Sequence, residues 1–147
     1  MLRLGNDAVA ILMNTKKRTY LDTGVILAVL RSEPDAGVRA YDILNDPDRE
    51  FATSSVLGLE LLPSAIYYKR KDEQEFCETF LKSSVYYAEL SESLFDEAFS
   101  QASQYGISAL DALHLSAAIS SGAQEFITTE KATKPLFRTK AIKVIPL

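Results

Sequence analysis

Apolar positions along the chain fall into two alternating rhythms. Short β-prone runs are each followed by longer stretches with apolar residues at helical spacing. TYLD, at positions 19–22, reads as a strand, and GVILAVLR follows at once as a helix-length apolar segment. SEPDAGVRAYDILND predicts a helix with Pro34 at its start and Val38, Tyr41 and Leu44 on one face. REFATSS is a second strand ending in hydroxyls suited to an N-cap. VLGLELLPSAIYYKRK is a strongly apolar helix, and Pro63 inside it cannot bond the carbonyl of Leu59, so a kink or break is expected there. DEQEFCETFLKS is a helix with acids in its first turn, and SVYYAEL is a strand. Two further helices, SESLFDEAFSQASQYG and SALDALHLSAAISSG, close at Gly106 and Gly122. EFITT is a strand, EKATKPLFR a short helical turn and AIKVIPL a last strand. Strands alternating with helices predict one α/β domain, residues 19–147, with a mostly parallel sheet covered by helices on both faces. The stretch MLRLGNDAVAILMNTKKR, residues 1–18, stands outside this rhythm as an N-terminal appendage.

Composition narrows the function classes. A chain of 147 residues fits a single core. A net charge of −4 argues against a surface that is basic throughout, so any nucleic-acid contact must come from local charge. The single cysteine, Cys77, excludes an intrachain disulfide and a cysteine-based zinc cluster, and reads as a small, partly buried thiol. The apolar run AVAILM is too short for a signal sequence, and no run is long enough to span a membrane. A cytoplasmic protein with no membrane association is expected.

The stretch YLDTG contains the Asp-Thr-Gly tripeptide of aspartic proteases. Such a protease needs an all-β body, whereas the residues after Asp22 look like a buried helix. Open α/β sheets bind ligands at the carboxyl ends of their strands instead. Asp22 ends the first strand, Glu130 follows EFITT, Asp111 lies in the first turn of a helix, and Glu60 sits in the helix after REFATSS. Each acid also has a purely structural reading. Asp22 can cap the next helix, Ser108 and Asp111 match a capping box, and Glu130 can favour a helix N-terminus. Glu60 resists this treatment. It lies among Leu57, Leu59, Leu61 and Leu62 with no Lys or Arg within one turn, and an unpaired buried carboxylate is costly.

Four carboxylates in one cleft repel one another and raise one another's pKa values. A hard divalent cation relieves that repulsion, and Mg2+ and Mn2+ favour carboxylates completed by waters and substrate phosphates. Such ions lower the pKa of a bound water and stabilise charge on a phosphodiester during in-line attack. This chemistry suits a chain with one histidine and one cysteine.

YLDTGVILA, SSVLGLELL, ALDALHLSAA and FITTEKATKPLF, in that order, resemble the acidic motifs of PIN-domain ribonucleases, and most closely those of VapC-type toxins of bacterial toxin–antitoxin pairs. The resemblance covers about residues 19–147 and implies a Rossmann-like three-layer α/β/α sandwich. It implies a Mg2+- or Mn2+-dependent endoribonuclease, a homodimer, and a small antitoxin as partner. Asp22, Glu60 and Asp111 match the family's core metal-binding acids. Glu130 matches its fourth acid, where the family more often carries Asp.

Around these acids, Thr23 matches the small hydroxyl residue that orients water, or it is a helix cap. Thr128 is a candidate phosphate ligand or simply a strand end. His114, one turn after Asp111, reads as a supporting residue because no acid–base partner is evident near it in sequence. Lys131 and Lys134 open a basic segment with Arg138, Lys140 and Lys143, suited to an RNA backbone or merely to solvent. The competing reading is a catalytically weak or inactive PIN module that binds RNA or a protein.

Overall fold

The computed structural model describes residues 16–147. Most of the predicted appendage lies outside the described residues, and its last residues belong to the domain. Strand β1 runs Lys17–Leu21, starting before Thr19. Its start is held by pairing: Lys17 and Arg18 stand in register with Arg49 and Glu50, and the Arg18 guanidinium bonds Glu50 at 3.2 Å.

The remaining elements are α1 (Thr23–Leu30), α2 (Ala36–Leu44), β2 (Arg49–Ser54), α3 (Ser55–Tyr67), α4 (Lys71–Ser83), β3 (Tyr86–Ala88), α5 (Glu92–Tyr105), α6 (Ala109–Ser120), β4 (Glu125–Thr128), a 3-10 turn (Pro135–Arg138) and β5 (Lys143–Pro146). The sheet order is β3-β2-β1-β4-β5, and every neighbouring pair is parallel. Parallel crossovers are right-handed, so reversal of the strand order at β1 moves the helices to the other face. Helices α1 to α4 cover one face and α5 with α6 the other, which gives the predicted α/β/α sandwich. Its core is built on Tyr20, Leu21, Val25, Ile26, Leu57, Leu115, Phe126 and Ile127, all essentially inaccessible.

Three local expectations shift. Helix α3 runs through Pro63 as one element, with Leu59 and Pro63 both on its exposed side. Helix α2 starts at Ala36, because Pro34 sits in the preceding turn. Strand β3 keeps only three residues of SVYYAEL at the sheet edge, with Tyr86 and Tyr87 exposed. Cys77 is buried as expected, and burial pushes its thiol up to about 11. No described helix is long and apolar enough to cross a membrane.

Candidate active site

The order β3-β2-β1-β4-β5 reverses direction between β1 and β4. A crevice opens at such a switch point, beyond the carboxyl ends of the two strands. Asp22 leaves the end of β1 and Glu130 follows β4, so the fold alone delivers two of the four acids to this place. The backbone there is pinned by Asp22 N–H donating to the Ile127 carbonyl at 2.9 Å.

Asp22 is 9% exposed and is the N-cap of α1. Its Oδ1 accepts from the Thr23 backbone N–H at 2.7 Å, and its Oδ2 from the Thr128 hydroxyl at 2.9 Å. The structural and functional readings of Asp22 therefore coexist. Burial raises its pKa, and the nearby Asp111 carboxylate adds to that; His114 and the bonds from Thr128 and Thr23 pull the other way. Asp111 thus lies within electrostatic reach of Asp22. Its backbone N–H is capped by the Ser108 hydroxyl, a long bond of 3.4 Å, while its carboxylate accepts no hydrogen bond from a described residue. The predicted capping box is half formed, since the Asp111 carboxylate does not return the bond.

Glu60 reaches the same place from the second turn of α3, after Ser54 has capped that helix through Leu57 N–H at 3.2 Å. The sequence offered Glu60 no partner, and the structure supplies two from other elements. Its Oε1 accepts from the Thr23 hydroxyl at 2.7 Å and from His114 Nε2. These bonds, led by the one from His114, hold its pKa below the usual carboxylate value. Oε2 accepts none among the described residues. Thr23 therefore joins two acids, its backbone on Asp22 and its hydroxyl on Glu60. The helix cap is Asp22, not Thr23.

Thr128 is fully buried and does not present a hydroxyl to solvent. It donates to Asp22 and accepts from the Glu130 backbone N–H at 3.0 Å. Glu130 is thereby tied to Asp22 through its backbone, while its side chain makes no hydrogen bond to a described residue. Lys131 and Lys134 follow in an exposed loop, with Lys134 at the start of the 3-10 turn. Tyr67 and Tyr68, on the far end of α3, form an exposed T-shaped pair with Arg70 over the Tyr68 ring.

Two contributors went unseen in the sequence, Tyr20 and Ser54. The Tyr20 hydroxyl, fully buried in the central strand, lies 2.7 Å from both Ser54 Oγ and His114 Nδ1. The available signal was a tyrosine in a strand buried on both faces, since a buried phenol needs a polar partner. Desolvation by that burial drives its pKa far upward, so the phenol stays protonated.

These donors fit a hard divalent cation in kind: Asp22 is a buried carboxylate, the Asp111 carboxylate accepts no hydrogen bond from a described residue, and Glu60 keeps one oxygen without a donor. Among the described residues no three such side chains are close enough to hold an ion unaided. Mg2+ commonly takes only one or two carboxylates and completes its shell with waters and substrate oxygens, so a partial protein shell is compatible with it.

A doubly wound parallel sheet with Asp22 and Glu130 at its switch point defines a class of α/β proteins that bind ligands at the strand ends. The PIN domain family model matches residues 19–135, and the chain belongs to that family. Solved structures share its fold at low identity. One is a chain of the VapBC2 complex of Rickettsia felis bound to a DNA fragment from its promoter, at 20% identity and a TM-score of 0.65, covering 88% of this chain and 98% of that one. A DNA-bound VapBC of Salmonella typhimurium matches at 16% identity and 0.65, covering 88% and 98%. A toxin–antitoxin complex of Klebsiella pneumoniae matches at 16% and 0.63, covering 86% and 95%. No curated protein matches the sequence.

Proposed function

We propose that this PIN domain is a divalent-metal-dependent endoribonuclease, the VapC-type toxin of a toxin–antitoxin pair. The observation that carries the reading is the link made at the switch point of a PIN fold: Thr23 bonds Asp22 through its backbone and Glu60 through its hydroxyl, and the Asp111 charge acts on Asp22. Asp22 and Asp111 would hold the Mg2+ or Mn2+ ion, with Glu60 offering its open oxygen and Glu130 standing at the rim. When bound, the ion supplies Lewis-acid charge for attack on a phosphodiester. Thr128 and the Thr23 backbone keep Asp22 aimed, and Thr23 with His114 keeps Glu60 aimed. Lys131 and Lys134 would meet the RNA backbone beside the cleft.

The complexes with this fold, described as toxin–antitoxin or VapBC assemblies, support a small antitoxin as partner. Exposed Leu59, Phe95, Phe99 and Leu110 support a further protein interface, which we assign to a homodimer. We place the protein in the cytoplasm, where the proposed RNA target would be met.

A non-catalytic PIN module is the second reading, favoured by the incomplete convergence of the acids. Wild type and Asp22→Asn should be induced in a bacterium and assayed on RNA with Mn2+, Mg2+ or chelator. Growth arrest and metal-dependent cleavage by wild type only is the expected result. Equal behaviour of the two proteins, or cleavage that survives chelation, would sink the nuclease reading.

A further inference from the structure

A line of hydrogen bonds runs from the interior to the site. Ser54 Oγ, Tyr20 Oη and His114 Nδ1 follow one another at 2.7 Å, and His114 Nε2 meets Glu60 Oε1. Its members come from the end of β2, from β1, from α6 and from α3. His114 is 1% exposed and Tyr20 and Ser54 are wholly buried, so no bulk water is available to any of the three. Every buried polar side-chain atom among the described residues has a partner.

The donors and acceptors admit one consistent direction. Glu60 is a carboxylate and only accepts. Ser54 Oγ already accepts from Leu57 N–H, and its own proton needs an acceptor. If Ser54 donates to Tyr20 and Tyr20 donates to Nδ1, Nε2 carries the ring proton and donates to Glu60. All donors are then used. If Nδ1 carried a proton, it would donate to Tyr20, Tyr20 would turn to Ser54, and the Ser54 proton would be left buried without an acceptor. That costs about 1–3 kcal/mol.

We infer that His114 is a positioning residue for the metal site. Held by the Tyr20–Ser54 pair with its proton on Nε2, it fixes Glu60 by one oxygen and leaves the other for the cation. This rests on the nuclease reading. His114 shares that oxygen with Thr23, whose hydroxyl is 3.5 Å from Nε2, so Glu60 is gripped from β1–α1 and from α6 at once. Free rotation of the carboxylate is removed before the ion arrives. Outer groups of this kind typically change metal affinity or activity by about 10–100-fold.

The chain has a single histidine, so 15N-histidine labelling gives one imidazole signal set. In metal-free wild type, long-range 1H–15N spectra should show Nε2 protonated and Nδ1 bare. A ring protonated on Nδ1 overturns the direction of the line. Calorimetric titration with MnCl2 alone then compares wild type with His114→Leu, His114→Gln and Tyr20→Phe, each checked by thermal unfolding. His114→Leu should bind Mn2+ about 10–100-fold more weakly. His114→Gln, whose amide nitrogen can replace Nε2, should recover most of that loss. Tyr20→Phe, which removes the bond that holds the ring from Nδ1, should weaken binding less than His114→Leu. If His114→Leu does not fold, the spectrum and the other two variants still decide. Wild-type affinity in all folded variants overturns the positioning role while leaving the nuclease reading intact. No Mn2+ binding by wild type overturns both.

Discussion

The hydroxyl of Thr128 donates to Asp22 Oδ2 at 2.9 Å and accepts from the backbone of Glu130 at 3.0 Å. One buried side chain thus couples the acid after β1 to the acid after β4, across the switch point of the sheet. Thr128→Val keeps the shape and removes the hydroxyl. A buried acceptor on Asp22 and the Glu130 N–H then both lose their partner, at about 1–3 kcal/mol for the buried group. Denaturant unfolding should show that loss for Thr128→Val and most of it restored in Thr128→Ser. On the proposed nuclease reading cleavage should fall with it, because the bond would also steady Asp22 for the ion. A valine variant as stable and active as wild type would remove Thr128 from the site.

Asp22 carries a conflict between stability and function. Its folded pKa is raised, mainly by burial. Between its unfolded value and its folded value the native state holds more protons than the unfolded chain, so stability falls as pH rises through that window. At neutral pH the charge is a burden that Asp22→Asn lifts. In chelator at pH 7 the asparagine variant should have the higher Tm, and the advantage should vanish below about pH 4, where both side chains are neutral. Glu60 has the opposite sign. Its pKa is lowered, led by the His114 bond, so its contribution is present above its unfolded value and is lost as pH falls through the folded one. Added Mg2+ should reverse the Asp22 ranking, since a ligand at 100 times its Kd stabilises by roughly 2.7 kcal/mol. The asparagine variant should gain little from Mg2+ and lose at least about a hundredfold in cleavage, beyond what an outer residue costs.

The sequence carried the acids and the fold class but not the wiring between them. Strand–helix alternation gave the parallel sandwich because a strand buried on both faces leaves an unmistakable apolar run, as in TYL and EFIT. Asp22, Glu60 and Asp111 stand out as candidates because Asp22 ends a strand, Asp111 lies in a first helical turn and Glu60 interrupts a run of leucines. The partner of Glu60 was invisible because His114 lies 54 residues away and meets it only once α3 and α6 pack. For Thr23 the sequence leaves a water-orienting hydroxyl or a helix cap, and for Thr128 a phosphate ligand or a strand end, since a hydroxyl beside an acid looks the same in sequence whether it faces water or another side chain. A kink or break is expected at Pro63, and α3 continues through it as one element, with Leu59 and Pro63 on its exposed side.

Gly24 has a role that the tripeptide hides. It lies in the first turn of α1, and a Cβ there would overlap Thr129 Oγ1 and come within 3.3 Å of the Thr129 Cβ and Cγ2. Thr129 opens the loop that carries Glu130 and Lys131. Gly24→Ala gains helix propensity, near 1 kcal/mol, but crowding of this kind costs typically 1–3 kcal/mol. The expected result is a loss of stability of about 1 kcal/mol with a larger fractional loss of cleavage, as the loop is pushed off the crevice. Thr129→Ala alone should be mild, because Thr129 is exposed, and the double variant should recover what the alanine at position 24 lost. A double-mutant cycle with no coupling would show that the loop accommodates the methyl freely.

Stability and chemistry are separated by the length of the sheet. At the amino ends of the strands Glu125 is 2% exposed and accepts from the Thr19 hydroxyl at 2.8 Å and from Arg49 Nε at 2.9 Å, with Lys17 at 3.8 Å. Register places these groups together, since Thr19 of β1 stands opposite Glu125 of β4 and Lys17 opposite Arg49 of β2. Arg49 also holds Asp46 at 3.0 Å, so its guanidinium staples the turn before β2 to the central strands. Removing it leaves a buried carboxylate short of its nearest charged donor, and hydrogen bonds to charged groups contribute about 1.5–3 kcal/mol. Arg49→Met, which keeps the aliphatic stem, should lower unfolding free energy by about that amount. Cleavage per folded molecule and Mn2+ affinity should be unchanged, because the acids lie at the opposite ends of the same strands. A variant that kept its stability but lost Mn2+ binding would mean that strain at one end of β1 is felt at Asp22.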